Sequence, residues 1–432
     1  MTGAVRRWMS DAGAWSLLDQ GAVSAGNFLT AVLLARAVSP ANYGIYALVL
    51  TTTLFMLFLT GALIVYGLSI HGAAGTDADV RSLAGRSLVL AAGLGTILGA
   101  ATSSVAIIFH RVSLIPWVTM AVLFLLLQET TRRALMSRLR HREAVWGDAL
   151  SYLGQAAGIA YLFGAGRLTL VSAFGVMAAT SAAGCLVQVG QLKLRTRDFR
   201  GALRLLPKLS YTGRWVLLAT GAQGLIGQAL WWFLALAGTA PVASFQSLLN
   251  LLRATNPVMF AVGSVLLPTV ANRQRNTSQR PGIVRQYVLW GALVLIPYFA
   301  VLLAFPGLAL RLLYGASSPY AALTTELRIL VLGSVFVYGD HVMGMYFYGL
   351  QRGDIAVRCE SLAAVVIVVG GIVLVRRAGL LGAAITYDLT FATSSVAFAW
   401  FLWHKAPGTV LGRARLGSQQ ASLEDSSISH SD

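Results

Sequence analysis

Apolar stretches of about 20 residues recur along the whole sequence, separated by short polar connections. An α-helix of that length rises about 30 Å, which is the thickness of the hydrocarbon core of a bilayer. The chain has 432 residues, of which 56% are hydrophobic and only 11% are charged. One water-soluble core cannot bury that much apolar surface, so the sequence predicts an integral membrane protein.

We predict about twelve transmembrane helices from the positions of these stretches. The stretches lack the period-two alternation of a β-barrel, and an open sheet in lipid would leave backbone groups without hydrogen-bond partners. The predicted fold class is therefore an all-α integral membrane protein. The predicted spans are 14–35, 43–70, 84–109, 113–130, 145–164, 168–190, 212–236, 242–271, 287–310, 323–350, 357–375 and 380–403.

The net charge of +17 comes mainly from arginines that cluster in every second connection. This alternation follows the positive-inside rule and predicts that both termini are cytoplasmic. Membrane topology and contact with anionic lipids explain the positive charge. We therefore do not expect nucleic acid as a partner. Residues 405–432 are polar and serine-rich and are predicted to be a disordered cytoplasmic tail. The basic connections lie around 81–86, 132–142, 193–208, 273–285 and 352–358.

The sequence contains a candidate internal repeat. A shift of about 200 residues places Leu34–Ser39 over Leu234–Thr239 and the first predicted helix over the seventh. Leucine and alanine match by chance in any membrane protein, which is the alternative. A parallel repeat predicts two pseudo-symmetric six-helix lobes around a central cavity, with a site at their interface. The predicted lobes are 1–208, which includes the connecting linker, and 209–404.

The stretch LARAVSPANYGIYALV, residues 34–49, places polar residues between the first two spans. Proline cannot continue a helix and restricts the residue before it, so we expect Ser39 and Pro40 to end the first helix. Asn42 is then expected to cap the second helix. The stretch is predicted to be a tight turn on the outer face.

Arg253 is the charge predicted to lie deepest in the membrane, about eleven residues or roughly 17 Å along the eighth span. Asn250 and Asn256 lie three residues on either side and share its helix face, and Pro257 can loosen the backbone. A guanidinium flanked by amides suits a phosphate or carboxylate group. The alternative is a structural ion pair with an acid on another helix.

Four other ionisable residues lie within predicted spans and are candidates for binding a coupling ion. Asp340, His341 and Asp388 lie in the tenth and twelfth spans, where they bind a cation or proton or else neutralise Arg253. Asp19 lies in the first span near the cytoplasmic face, where a carboxylate is cheap to solvate.

Neutral amides supply further candidates for substrate binding. Asn27 follows Asp19 by two turns, and Gln223 and Gln228 lie along the seventh span with Trp231 and Trp232. Sugar rings stack on such indole faces, whereas the alternative is an aromatic belt at the membrane surface.

Motifs for catalysis, cofactors and metals are absent from the sequence. Cys185 and Cys359 lie in predicted spans without metal-ligand spacing, so packing is their expected role. There is no Walker A loop, His/Cys metal cluster or nucleophile elbow. We therefore expect no metal, no cofactor and no enzyme activity.

Four segments carry a resemblance to a known family. LARAVSPANYGIYAL, QETTRRALMSRLRHREAVWGD, GSVLLPTV and YGLQRGD resemble segments of the polysaccharide flippases, over residues 10 to 405. These are the O-antigen and exopolysaccharide exporters of the multidrug, oligosaccharidyl-lipid and polysaccharide exporter superfamily. Lipid II flippases of this superfamily typically carry two further helices, which this length does not accommodate.

The resemblance implies a flippase of the bacterial cytoplasmic membrane that moves undecaprenyl-pyrophosphate-linked oligosaccharide by alternating access. It implies a cationic cavity, with Arg253 on the pyrophosphate. The partners implied are the lipid-linked oligosaccharide, membrane lipids, H⁺ or Na⁺ as a coupling ion, and other polysaccharide-assembly proteins. The alternatives are a cation-coupled multidrug exporter of the same superfamily and a membrane glycosyltransferase or polymerase.

Overall fold

The computed structural model describes residues 3–274 and 282–405, and all regular structure in these ranges is helical. This confirms the predicted all-α fold class. The helices of the first half are α1 (Gly3–Ala37), α2 (Pro40–Thr60), α3 (Tyr66–Ala74), α4 (Asp77–Thr102), α5 (Ser104–Ile108), α6 (Ile115–Ser137), α7 (His141–Asp148), α8 (Gly154–Gly164) and α9 (Leu170–Leu192). Those of the second half are α10 (Leu206–Leu236), α11 (Thr239–Arg253), α12 (Asn256–Gln274), α13 (Gly282–Ala304), α14 (Pro306–Tyr314), α15 (Thr324–Gly349), α16 (Gly353–Gly370) and α17 (Arg376–Lys405).

Three short π-helical segments interrupt the longer helices, at Gly61–Val65, Ala149–Leu153 and Gly371–Val375. Each joins two α-helices end to end, namely α2 and α3, α7 and α8, and α16 and α17. Within α17 the chain turns sharply at Gly379, whose φ of 53° and ψ of −124° lie outside the helical region. Such backbone dihedrals favour glycine because it has no Cβ.

Every predicted span overlaps a helix of the structure. In the described part of the chain, 7 helices are long and apolar enough to cross a membrane by length and composition. The last of them, Gly353–His404, contains two predicted spans. The count of twelve stays a prediction. The span predicted at 287–310 is wrong at its end, because α13 stops at Ala304 and Pro306, which has no N–H to donate, begins α14.

The turn between α1 and α2 differs from its prediction. Pro40 is the first residue of α2 rather than part of the end of α1, and Ser39 rather than Asn42 is the N-cap. The Ser39 hydroxyl accepts the backbone N–H of Asn42 at 3.4 Å. Proline suits the first helical position because the N–H that it lacks would have no intrahelical partner there.

The two halves of the chain meet along α2 and α11. The starts of these helices, Pro40 and Thr239, are 239 − 40 = 199 residues apart. Gly44 lies so close to α11 that an added Cβ would overlap the backbone of Thr239. Small residues allow such close helix contacts in lipid. The lobe boundaries at 208 and 209 stay a prediction.

Candidate functional site

Arg253 is the last residue of α11, where the eighth predicted span is interrupted. Two residues in a turn conformation follow, and α12 begins at Asn256 with Pro257 in its first turn. Arg253 follows Thr239 by 253 − 239 = 14 residues. At 1.5 Å per residue it lies about 21 Å along the axis from the start of α11, and its depth in the membrane stays a prediction.

A cavity of about 590 Å³ lies between the two halves of the chain. Its wall comes from α1, α2, α6, α8 and α9 of the first half and from the region of the α11–α12 break in the second half. Neutral side chains such as Asn27 and Gln155 supply its polar surface. Of the described residues in that wall, Arg253 alone is charged, and none is acidic. The cavity is therefore electropositive.

The guanidinium of Arg253 has no acidic partner. Within the described ranges it forms no ion pair and no hydrogen bond, and its electrostatic neighbours are the phenol groups of Tyr43, Tyr46 and Tyr387. The alternative, a structural ion pair with an acid on another helix, is not found among the described residues. A partly buried charge without a counterion among the described residues favours an anionic ligand in the cavity.

The amides predicted to share the Arg253 face have different surroundings. Asn250 lines the cavity, but its side-chain N–H groups already donate to Tyr43 and Tyr314. Asn256 lines the cavity directly after the helix break, and Asn27 is exposed in the wall contributed by α1. Asn27 and Asn256 are therefore placed to contact a ligand alongside Arg253.

Gln228 of the seventh predicted span does not join this group. The Gln228 side chain donates to the backbone carbonyl of Thr51 at 2.9 Å, and it ties α10 to α2 rather than lining the cavity. Gln223 lies in α10, and its side chain is outside the described residues. Trp231 is buried against Phe245, so it does not belong to an aromatic belt at the membrane surface.

A second, smaller cavity of about 140 Å³ lies within the second half and shares Arg253 and Asn256 with the large one. Aromatic side chains of Trp231, Phe299 and Tyr387 form much of its wall. Arg253 thus lies between the two cavities and lines both of them.

Asp340, His341 and Asp388 are the candidates for ion coupling in the second half, and each contacts other residues of that half. Asp340 accepts a hydrogen bond from the Ser394 hydroxyl, and a ring nitrogen of His341 contacts the carbonyl of Met259 at 2.8 Å. Asp388 packs against Gly333, and one of its buried carboxylate oxygens has no hydrogen-bond partner. None of the three lines either cavity. Their role in ion coupling stays a prediction.

Asp19 corrects the expectation of a shallow, easily solvated carboxylate. It is fully buried, and one oxygen accepts from Nη2 of Arg132 at 2.6 Å. Arg132 lies in α6 with 6% of its surface exposed, rather than in a basic cytoplasmic connection as predicted. The pairing explains the burial of both charges.

Two more carboxylates complete this ion cluster around Arg132. Glu129 pairs with Nη1 at 3.0 Å. Asp148 lies 2.5 Å from Nε, without the alignment of a hydrogen bond, and it accepts from the amides of Gln128 and Gln188. Sequence reasoning missed the cluster, although the spacing of Glu129, Arg132 and Arg133 is that of ion pairs on one helix face.

Comparisons with known proteins bear on the fold. No model of a known protein family matches the chain, and no curated protein matches it in sequence. The lipid II flippase MurJ in its inward closed conformation has a similar structure, with a TM-score of 0.70 at 10% identity over 90% of this chain and 87% of MurJ.

Two further structures extend the likeness. An inward-facing multidrug resistance MATE family transporter of the MOP superfamily gives a TM-score of 0.66 at 14% identity, over 92% of this chain and 95% of that one. A MOP superfamily transporter from Pyrococcus furiosus Vc1, described by the reverse polarity of its binding pocket, gives 0.61 at 14% identity over 91% and 94%. This chain has the MOP transporter fold.

Proposed function

We propose that this chain is a flippase that moves an undecaprenyl-pyrophosphate-linked oligosaccharide from the inner to the outer leaflet of the bacterial cytoplasmic membrane. The observation that carries the proposal is the lone, unpaired Arg253 in a cavity whose described wall contains no acid. Guanidinium groups bind phosphate oxygens through charge-assisted hydrogen bonds. The flanking amides of Asn27 and Asn256 provide neutral donors and acceptors for sugar hydroxyls.

The physical task of such a flippase is to carry a pyrophosphate through hydrocarbon, where each unpaired polar group costs several kcal/mol. A cavity with one fixed cation and several amide groups in its wall lowers that cost. Two negative charges moving outward across a potential of about 100 mV, inside negative, gain about 4.6 kcal/mol from the field. The membrane potential thus favours export even without a coupling ion.

The main rival is a multidrug exporter, since MATE transporters share the fold. Cationic drugs would require carboxylates in the cavity to offset their desolvation. The described cavity wall offers a cation instead. The rival thus predicts that substituting Arg253 by a neutral residue improves the binding of cationic dyes.

Replacement of Arg253 tests the proposal directly. Arg253→Gln keeps a polar side chain but removes the charge, and we expect at least about a tenfold loss of transport, because a charge-assisted contact contributes about 1.5–3 kcal/mol. Transport is measured in proteoliposomes as the movement of a fluorescent polyprenyl-pyrophosphate-linked sugar between leaflets. Surface glycan in the producing cell provides a second measurement.

Arg328→Gln is the matched control for this experiment. Arg328 donates to the carbonyl of Leu303 at 3.2 Å and is absent from both cavity walls, so its replacement is expected to leave transport unchanged. Wild-type transport by Arg253→Gln, at equal amounts of protein in the membrane, would refute the role of the arginine. Transport of cationic dyes by the wild type would favour the rival instead.

A further inference from the structure

The turn between α1 and α2 is the end of the bundle at which the two halves are tied together by hydrogen bonds. Arg36, in the last turn of α1, donates from Nε to the carbonyl oxygen of Leu313 and from Nη2 to that of Leu312, each at 2.5 Å. These carbonyls lie in the last turn of α14, which Gly315 ends with a φ of 93°. Carbonyls at a helix C-terminus lack intrahelical partners and attract a cation.

A second set of contacts between the halves lies next to Arg36 and is buried. The hydroxyl of Tyr43, in α2, accepts from the side-chain amide of Asn250 in α11 at 2.8 Å. The same amide lies 3.4 Å from the hydroxyl of Tyr314, which donates to the carbonyl of Ser247 at 2.8 Å. Tyr320 packs edge-on against both Tyr43 and Tyr314.

We call this group the latch, and it consists of Arg36, Tyr43, Asn250, Leu312, Leu313 and Tyr314. It lies between the large cavity and the α1–α2 turn. Ala31 and Tyr46 are the cavity-lining residues nearest to the turn on α1 and α2, and Arg36 and Tyr43 lie beyond them on the same helices. The cavity is thus closed toward the turn.

Asn250 belongs to both the latch and the cavity wall. It lies three residues before Arg253 in α11, which places the two side chains on the same helix face. The side-chain oxygen of Asn250 accepts a hydrogen bond from Gln246 at 2.9 Å. Its side-chain N–H groups therefore remain to bind an acceptor in the cavity. A phosphate oxygen held at Arg253 is a stronger acceptor for these N–H groups than a neutral phenol.

We propose that the latch keeps the two halves together at the turn end, and that Asn250 releases it when a pyrophosphate occupies the cavity at Arg253. The choice of ligand rests on the proposed function, whereas the latch rests only on contacts between the halves. Asn250 is therefore a positioning residue that couples occupation of the cavity to its opening.

Accessibility of the cavity from each membrane face tests the latch. Cys185 and Cys359 are replaced by alanine, and Ala25→Cys, exposed in the cavity wall, becomes the single thiol. A membrane-impermeant maleimide is applied separately to right-side-out and inverted vesicles. We expect labelling of the reporter from the face opposite the turn, and very little from the turn face.

The latch variants are Arg36→Gln, Tyr43→Phe and Asn250→Leu, each in the reporter background. Tyr43→Phe removes one hydrogen bond of the latch, and we expect it to raise labelling from the turn face about two- to tenfold. Arg36→Gln and Asn250→Leu each remove more than one, and we expect at least the same increase. Tyr320→Phe is the matched control in the same aromatic group, because its buried hydroxyl has no hydrogen-bond partner. Arg328→Gln is the control for Arg36→Gln, because it donates to a helix-terminal carbonyl within the second half.

The ligand arm of the experiment uses farnesyl pyrophosphate as the probe. We expect it to raise turn-face labelling in the protein with an intact latch, and to have no effect in Arg253→Gln. In Asn250→Leu the basal labelling is expected to be high and insensitive to the probe. This pattern separates ligand binding at Arg253 from its transmission through Asn250.

The outcomes that contradict each part are distinct. Equal labelling of the intact latch from both faces, or latch variants that behave like their controls, would overturn the latch. A probe response in Asn250→Leu as large as in the intact protein would overturn the coupling role. Latch variants that open while the probe changes nothing would support the latch and would count against the pyrophosphate assignment.

Discussion

Arg132 and Arg253 show how differently the same side chain is used in this protein. Arg132 is surrounded by Asp19, Glu129 and Asp148, so its charge is more than balanced by the protein. Arg253 has no acidic partner within the described residues and faces a cavity. The carboxylates around Arg132 neutralise its charge and stabilise the first half of the chain. The charge of Arg253 remains available to an anionic ligand that enters the cavity.

The ion cluster yields a prediction for stability. Arg132→Ala leaves three carboxylates facing each other with little exposure to water, and we expect a loss of about 3–5 kcal/mol in the free energy of unfolding. Arg133→Ala is the matched control: the side chain is 46% exposed and also pairs with Glu129, so its loss is expected to be at most about 1 kcal/mol. Denaturant titration in detergent, followed by tryptophan fluorescence, provides the measurement. Equal effects of the two substitutions would contradict the account.

At this scale the sequence predicted positions along a helix better than partners. Counting residues assigned Arg253 to the eighth predicted span, and its depth in the membrane stays a prediction. The pairing of Asp19 with Arg132 was not predictable in this way, because the two residues are 132 − 19 = 113 positions apart. Packing of α1 against α7 and α8 brings the carboxylate of Asp19 within reach of Arg132 in α6.

At the scale of elements, breaks in the helices mark the site. The eighth predicted span is interrupted between Arg253 and Asn256, and Pro257 in the sequence indicated a weak point there. A π-helical segment, Ala149–Leu153, follows Asp148 of the ion cluster directly. No residue type in that segment predicts it, since such segments form where packing imposes them. Helix positions were thus predictable from apolar length, and their local irregularities only where a proline marks them.

Close packing of α1 yields a prediction at the scale of elements. A Cβ added at Gly26 would overlap the backbone carbonyl of Tyr152, whereas one added at Gly21 on the same helix meets no atom within 4 Å. Gly26→Ala must push α1 away from its neighbour, and we expect a loss of about 1–3 kcal/mol. Gly21→Ala is expected to be neutral or slightly stabilising, because alanine favours a helix. Melting temperatures of the two variants in detergent decide the point, and a stable Gly26→Ala would contradict the packing.

At the scale of the whole molecule, the repeat predicted from the sequence has a structural counterpart. The starts of α2 and α11 differ by 199 residues, close to the shift of about 200 at which the sequence matches itself. What the repeat did not predict is where the halves touch. The hydrogen bonds of Arg36 and Tyr43 to the second half join residues more than 200 positions apart, and local patterns of hydrophobicity carry no information on them.

The transport proposal yields a last prediction, for the dependence of transport on membrane potential. A ligand with two negative charges gains about 1.4 kcal/mol for each 30 mV, so its ratio between the leaflets is expected to change about tenfold over that interval. A polyprenyl-phosphate-linked sugar with a single charge is expected to need about 60 mV for the same change. Potassium diffusion potentials in proteoliposomes set the voltage, and a leaflet-specific quencher measures the ratio.

The slope of that dependence also reports on coupling ions. If the protein moves the lipid alone, the two ligands differ in slope by a factor of about two, as their charges do. A slope near zero for the pyrophosphate would mean that cations travel with it and cancel its charge. The buried carboxylates of Asp340 and Asp388, which lie outside both cavities, would then be the groups to replace first. A slope that matches the ligand charge would leave those carboxylates with a structural role, because the field alone would account for the direction of transport.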